Sequence, residues 1–207
     1  LVGQSYPAET LYCFSRGNIA GLALTAAIPP TAATPALPTS LPTLRQMKAT
    51  ELYPDGVHYV VERMRSKDQD EVFATQWNDD RSSFANHILR VGDFGFVLHH
   101  DDGEPIVCGG AVPMWPGVWS VWMFATDRFD EIALSTTKFG WRVFFPALEQ
   151  ANWHRLECRS LSTHKIAHKW LESFGAYKES ESPGYGKTGE TFYVYCWTRP
   201  TGGTQSN

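Results

Sequence analysis

The run Trp119–Phe139, "WSVWMFATDRFDEIALSTTKF", decides how this chain folds. Its first half reads as an aromatic-rich strand and its second as the opening turns of an amphipathic helix, so the backbone leaves a sheet and enters a helix between Ala125 and Ile132. Such junctions are natural anion sites, because free N–H groups and the positive end of the helix dipole point the same way. This one has no glycine and sets Asp127, Asp130 and Glu131 against Arg128. Carboxylates in a first turn satisfy the dipole themselves. An incoming phosphate would meet repulsion as well as bulk.

Downstream, Ile132, Thr136, Phe139, Val143 and Ala147 fall on one stripe of a helix that Pro146 should kink or end. "HRLECRSL" reads as a strand and "THKIAHKWLESFGA" as a helix closed by Gly175, a residue suited to a left-handed C-cap. "YKESES", a "PGYGKTGE" loop and "TFYVYCW" form a closing hairpin. Upstream, Phe94 to His100 and "PIVCGGAVPMW" make a hairpin about "DDGE", and "GVWSVWMFA" follows the Pro116–Gly117 turn. Val57 to Met64 alternates as a strand. Gln69 to Gln76 and Ser82 to Arg90 read as short helices, the first N-capped by Asp68. The order β, α, α, β, β, β, α, β, α, β, β predicts an α/β (α+β) domain, a mixed, mostly antiparallel sheet flanked by helices.

Residues 1–46 are Pro/Ala/Thr-rich and read as a tail or linker, residues 47–199 as one domain, and residues 200–207 as a C-terminal tail. "IAGLALTAAI" at Ile19 to Ile28, after Arg16, has the outline of a secretory signal, but a bland Ala/Pro/Thr tail is the reading adopted, and secretion through residues 16–34 is not expected. Leu1 in place of Met points to a non-standard start codon or to trimming. No apolar run approaches the ~20 residues needed to span a bilayer. The formal charge is −4, with no cluster of Lys or Arg longer than two, so nucleic acid is not expected as the main partner.

The four cysteines, Cys13, Cys108, Cys158 and Cys196, are far apart and lack the spacing of a zinc site. Three of them sit inside strand-like apolar runs and read as small buried hydrophobes in a reducing compartment, with a Cys158–Cys196 bridge left open. His164 and His168 share a helix face without an H-E-x-x-H motif, so exposed helix polarity is expected rather than a metal. "GYGKTG" lacks the upstream glycine of a phosphate loop and joins two strands, so a mobile hairpin loop is expected, with a partner or substrate contact as the functional alternative. His154 and Glu157 flank and enter the strand after the long helix and Asp127 ends the preceding one, so any could face a cleft as a base, but a solvated or hydrogen-bonded structural role is the reading adopted for each. By alternation Trp115 and Trp119 should share one face and Trp122 the other.

Together, the element order and "HRLECRSLSTHKIAHKWLESFGAYKES" resemble the GNAT superfamily of acyl-CoA-dependent N-acetyltransferases, with Ala167, Trp170, Glu172 and Gly175 where that pattern expects them. "GGAVPMWPGVWSVWMFATDRF" and "RSLSTHKIAHKWLESFGAYKE" are similar to the GNAT-like proteins of short-tailed phages, a group that includes a small internal virion protein. The resemblance implies a GNAT fold, and two functions follow from it. In the first, the scaffold has lost acyl-CoA chemistry and serves as a virion or assembly component. It then has no cofactor, phage virion proteins as partners, and a place in the virion or host cytoplasm.

In the second, the chain is a working N-acetyltransferase with acetyl-CoA as cofactor. The backbone of Met123, Phe124 and Ala125 would pair with the pantetheine, Ser135, Thr136 and Lys138 would replace the family's glycine cradle, and Asp127 or Glu157 would deprotonate the amine. Two departures weigh against it. The junction lacks the family's Gly-rich loop, and Leu171 stands where a Tyr usually protonates the departing thiolate.

Overall fold

The computed structural model describes residues 43–44, 47–92 and 94–199. The reading of residues 1–46 as a tail, the apolar run at 19–28, Cys13 and the C-terminal tail 200–207 therefore lie outside the described residues, apart from Thr43 and Leu44. The elements are β1 (Thr43–Leu44), β2 (Met47–Glu51), α1 (Pro54–Glu62), α2 (Ser66–Phe73), α3 (Arg81–Val91), β3 (Phe94–His99), β4 (Pro105–Trp115) and β5 (Val118–Ala125). They continue with α4 (Phe129–Phe139), a π-helical turn (Gly140–Phe144), α5 (Phe145–Glu149), β6 (Arg155–Leu161), α6 (Lys165–Ser173), β7 (Tyr177–Ser182) and β8 (Phe192–Thr198).

The strands form one sheet in the order β1-β2-β3-β4-β5-β6-β8-β7. Every neighbouring pair is antiparallel except β5 and β6. This is the mixed, mostly antiparallel sheet flanked by helices that the sequence predicts. Two apolar cores lie on its two faces. Phe94, Phe96, Trp119, Ile132, Phe139, Leu148, Leu156 and Trp197 pack under α4 to α6, and Val57, Val60, Val61, Phe84, Ile88, Val97 and Phe124 pack under α1 and α3. Each such side chain contributes about 1.5–3 kcal/mol by leaving water.

Three local readings change. Val57 to Met64 is mainly helix: Val57, Val60, Val61 and Met64 are all buried at helical spacing, and Pro54 fits the first turn, where no N–H is needed. The β-branched residues there had suggested a strand. The domain's first strands are instead Thr43–Leu44, within the segment read as tail, and Met47–Glu51. Helix α2 starts three residues earlier than expected, so Asp68 sits inside it and Arg65 takes the N-cap position.

Pro146 acts as anticipated, through a specific device. It has no N–H to give to the carbonyl of Arg142, and the preceding Phe145 N–H reaches back five residues to Gly140 O, making a π turn. Trp119 and Trp122 lie on opposite faces, in the first core and against the second. Trp115 is half exposed on β4, across a turn that breaks the assumed alternation. No helix among the described residues is long and apolar enough to cross a membrane.

Candidate functional site

The parallel ladder between β5 and β6 consists of Val118–Arg155, Trp119–Leu156 and Ser120–Glu157, and stops there. Both strands continue, to Ala125 and Leu161, so they splay into a notch. Thr126 N–H donates to Ile106 O at 2.9 Å on the β4 side. Alternation then turns the Met123 and Ala125 amides toward the notch and that of Phe124 toward β4. An extended ligand entering the notch would have to pair with this edge.

The chain fills that edge itself. Arg65 N–H donates to Ala125 O at 2.9 Å, and Ala125 N–H donates to Asp68 Oδ2 at 2.8 Å. On the opposite lip, Glu71 Oε2 accepts from Leu161 N–H at 2.8 Å and from the Ser160 hydroxyl at 2.8 Å. Asp68 and Glu71 are three apart in α2 and so share the helix face turned to the sheet. His164 joins them, with Nδ1 3.0 Å from Glu71 and Nε2 3.8 Å from Asp68. Arg65 Nε lies 2.8 Å from Asp68, and its guanidinium covers the Phe129 ring.

Asp68 is only 4% exposed and His164 only 7%. Burial holds the Asp68 carboxyl above the usual carboxylate range, with Arg65 pulling the other way. His168 is buried as well, against Tyr193 and Tyr195, with Nε2 3.1 Å from Leu161 O. Burial pushes its pKa down. The expectation of exposed polarity for His164 and His168 is therefore corrected: their spacing turns both rings inward, toward α2 and the sheet. No group of His, Cys, Asp or Glu among the described residues is arranged to hold a metal ion.

At the start of α4, Arg128 is enclosed by carboxylates. It donates to Asp102 at 2.9 Å, to Glu104, and to Glu131 at 2.6 and 2.8 Å. His100 Nδ1 lies 3.1 Å from Asp102 and Nε2 3.6 Å from Glu131. Hydrogen bonds to these carboxylates push the Arg128 pKa up; the Arg128 bond lowers Glu131, while Asp102 is lowered first by the Glu104 backbone N–H and then by Arg128. The nearby cation is thus already neutralised, and Asp127 and Asp130 stand exposed beside it. As they stand, these residues do not fit a CoA diphosphate, which needs close, unobstructed N–H groups and positive charge.

Other site expectations are only partly brought together. Ser135, Thr136 and Lys138 lie six to nine residues beyond Phe129, about 9–14 Å along the helix axis. Thr136 faces the core at 3% exposure. None of the three lies in the first turn, where a cradle must be built; they follow Phe129 by about 1.7 to 2.5 turns. Glu157 sits at the vertex of the notch, bonded to Arg155 Nε at 2.8 Å. Asp127 lies beyond the far end of β5, more than about 16 Å away along the strand. The structure therefore does not unite the two candidate bases. Leu171 packs against the first core and offers no proton.

Cys158 and Cys196 are free. Register pairs Cys158 with Tyr195 and Cys196 with Glu157, so the two thiols start from opposite faces of the sheet. The "GYGKTG" loop is tethered rather than loose: Lys187 N–H donates to Ala74 O at 2.7 Å, and its ammonium pairs with Asp79. What sequence reasoning missed is Asp68 and Glu71 as fillers of the notch. Their i, i+3 spacing beside Arg65 was the available signal, but a cap reading of Asp68 explained it first.

No known protein-family profile matches this chain, and no curated protein matches it in sequence. Solved structures do match. The ribosomal-protein-S18-alanine N-acetyltransferase from Escherichia coli superposes with a TM-score of 0.57 at 14% identity, over 78% of this chain and 99% of that one. A GNAT-family acetyltransferase from Bacillus anthracis gives 0.55 at 12%, over 77% and 98%. The yncA protein from Salmonella typhimurium, solved with its cofactor acetyl-CoA, gives 0.55 at 10%, over 74% and 94%. The described chain has the GNAT fold.

Proposed function

We propose that this chain is a GNAT-fold protein that has given up acyl transfer and works through its surfaces as a component of an assembly, in the manner of the phage GNAT-like proteins it resembles. Residues 47–199 form its working domain, with 1–46 and 200–207 as tails. One observation carries the reading: the Ala125 amide, the donor that a pantetheine would need, is satisfied by Asp68 at 2.8 Å. The Arg128 cluster and the glycine-free junction support it independently. Thermal melting of the intact chain with and without millimolar acetyl-CoA tests the lost chemistry, since a real site must raise the melting temperature by mass action. Mass spectrometry of purified particles tests the assembly role, and absence of the chain from them would contradict it.

A second reading, an acyl-CoA N-acetyltransferase, draws on one observation. The β5–β6 ladder breaks after Ser120–Glu157, leaving a notch between parallel strands. For that notch to admit a cofactor, α2 must first withdraw both carboxylates.

A further inference from the structure

Helices α4 and α6 lie side by side on one face of the sheet. Trp170 Nε1 donates to Thr137 Oγ1 at 3.0 Å, and the Trp141 and Phe174 rings sit 5.4 Å apart. The contacts advance together along both helices, so one turn before Thr137 and Trp170 come Leu134 and Ile166. These are 68% and 77% exposed, and Trp141 is 52% exposed on the same layer. Leu134 and Trp141 are seven residues apart, roughly 10 Å along the axis.

Between and around them stand Lys138, Arg142, Lys165 and Lys169. None of the four has an ion-pair partner among the described residues; Lys165 lies over the Tyr193 ring at 5.3 Å. The acidic groups of the same elements are mostly engaged. Glu149 is paired with Arg199 and Glu131 shares Arg128 with Asp102 and Glu104, while Asp130 and Glu172, the latter accepting from the Tyr195 hydroxyl at 3.3 Å, have no cationic partner among the described residues, so the four cations exceed the unpaired carboxylates of these elements. A chain of formal charge −4 thus collects unpaired cations on one face, interleaved with its protruding apolar side chains.

We infer that the outer face of α4, the π turn that continues it and α6 is a docking surface for an anionic lipid bilayer. The core of a protein interface is depleted in lysine, whereas three apolar side chains ringed by cations suit shallow insertion among headgroups. Trp141 is the residue type favoured at that depth, and the lysine stems can lie along the acyl boundary while their ammonium groups meet lipid phosphates.

The test is flotation of the intact chain with vesicles of phosphatidylcholine, with and without phosphatidylglycerol. The expected result is salt-sensitive binding to the anionic vesicles only. Leu134→Glu with Ile166→Glu should abolish it, Lys138→Glu with Lys169→Glu should weaken it by roughly tenfold or more, and Trp141→Phe should lose a blue shift in tryptophan emission. All these positions are exposed, so unchanged melting temperatures check the fold. Equal binding to neutral vesicles, or binding that persists in the Leu134/Ile166 variant, overturns the proposal. So does binding of polyglutamate through these residues without any binding to vesicles.

Discussion

Ala125 N–H, at the end of a central strand, donates to the carboxylate of Asp68 at 2.8 Å, across 57 positions of sequence. The bond ties α2 to the edge of β5 and leaves a buried ion pair with Arg65 beside it. Removing one member of such a pair costs more than the pair is worth, because the other charge stays buried alone. Asp68→Ala should therefore destabilise the fold by roughly 3 kcal/mol, and Asp68→Asn by less, since its amide oxygen still accepts from Ala125. Urea unfolding measures both.

The same carboxyl gives a pH signature. Its folded pKa is raised, so the folded state holds the proton more tightly than the unfolded state. Its contribution is fully present below the unfolded pKa of about 4 and is lost as pH rises through the folded value. The stability difference between wild type and Asp68→Asn should thus shrink as pH rises from about 4. A flat difference would mean that Arg65 and the Ala125 N–H fully offset the effect of burial on this carboxyl.

Glu71 holds the other lip. Glu71→Ala removes the acceptor for Leu161 N–H and Ser160, at a cost of about 1–3 kcal/mol. Amide hydrogen exchange separates the two lips. Leu161 should lose protection in the Glu71 variant while Ala125 keeps it, and Asp68→Ala should do the reverse.

Gly140 opens the π turn with helical backbone, so alanine there is favoured by helix propensity by about 1 kcal/mol. A Cβ would, however, meet the Phe174 ring at 2.7 Å. Overpacking of about 1–3 kcal/mol outweighs the gain. Gly140→Ala should lower the melting temperature, and an unchanged value would show that Phe174 can move aside.

At the α4 junction, Arg128→Ala should raise the Asp102 and Glu131 pKa values toward ordinary carboxylates, read by carboxyl NMR titration. In wild type the contribution of these two groups is present above their unfolded pKa and is lost as pH falls through the depressed folded value.

Much of the fold was legible because its elements carry local signals. The Trp-rich strand, the Ile132/Thr136/Phe139 stripe and Gly175 each announce period or cap, and Gly175 does adopt a positive φ of 85°. The segment from Val57 to Met64 misled because β-branched residues favour strands while their spacing was helical. The notch was legible only in the i, i+3 spacing of Asp68 and Glu71. His164 and the two strand edges meet these carboxylates through tertiary contacts spanning 57 to 93 residues, and one sequence does not reveal which carboxylate faces which strand edge.

Helix α2 bonds the edge of β5 at Ala125, where a pantetheine would have to pair. Isothermal titration of the intact chain with acetyl-CoA tests this occlusion most directly. No saturable heat at millimolar ligand is the expected result. A saturable isotherm with a dissociation constant in the micromolar range would contradict it.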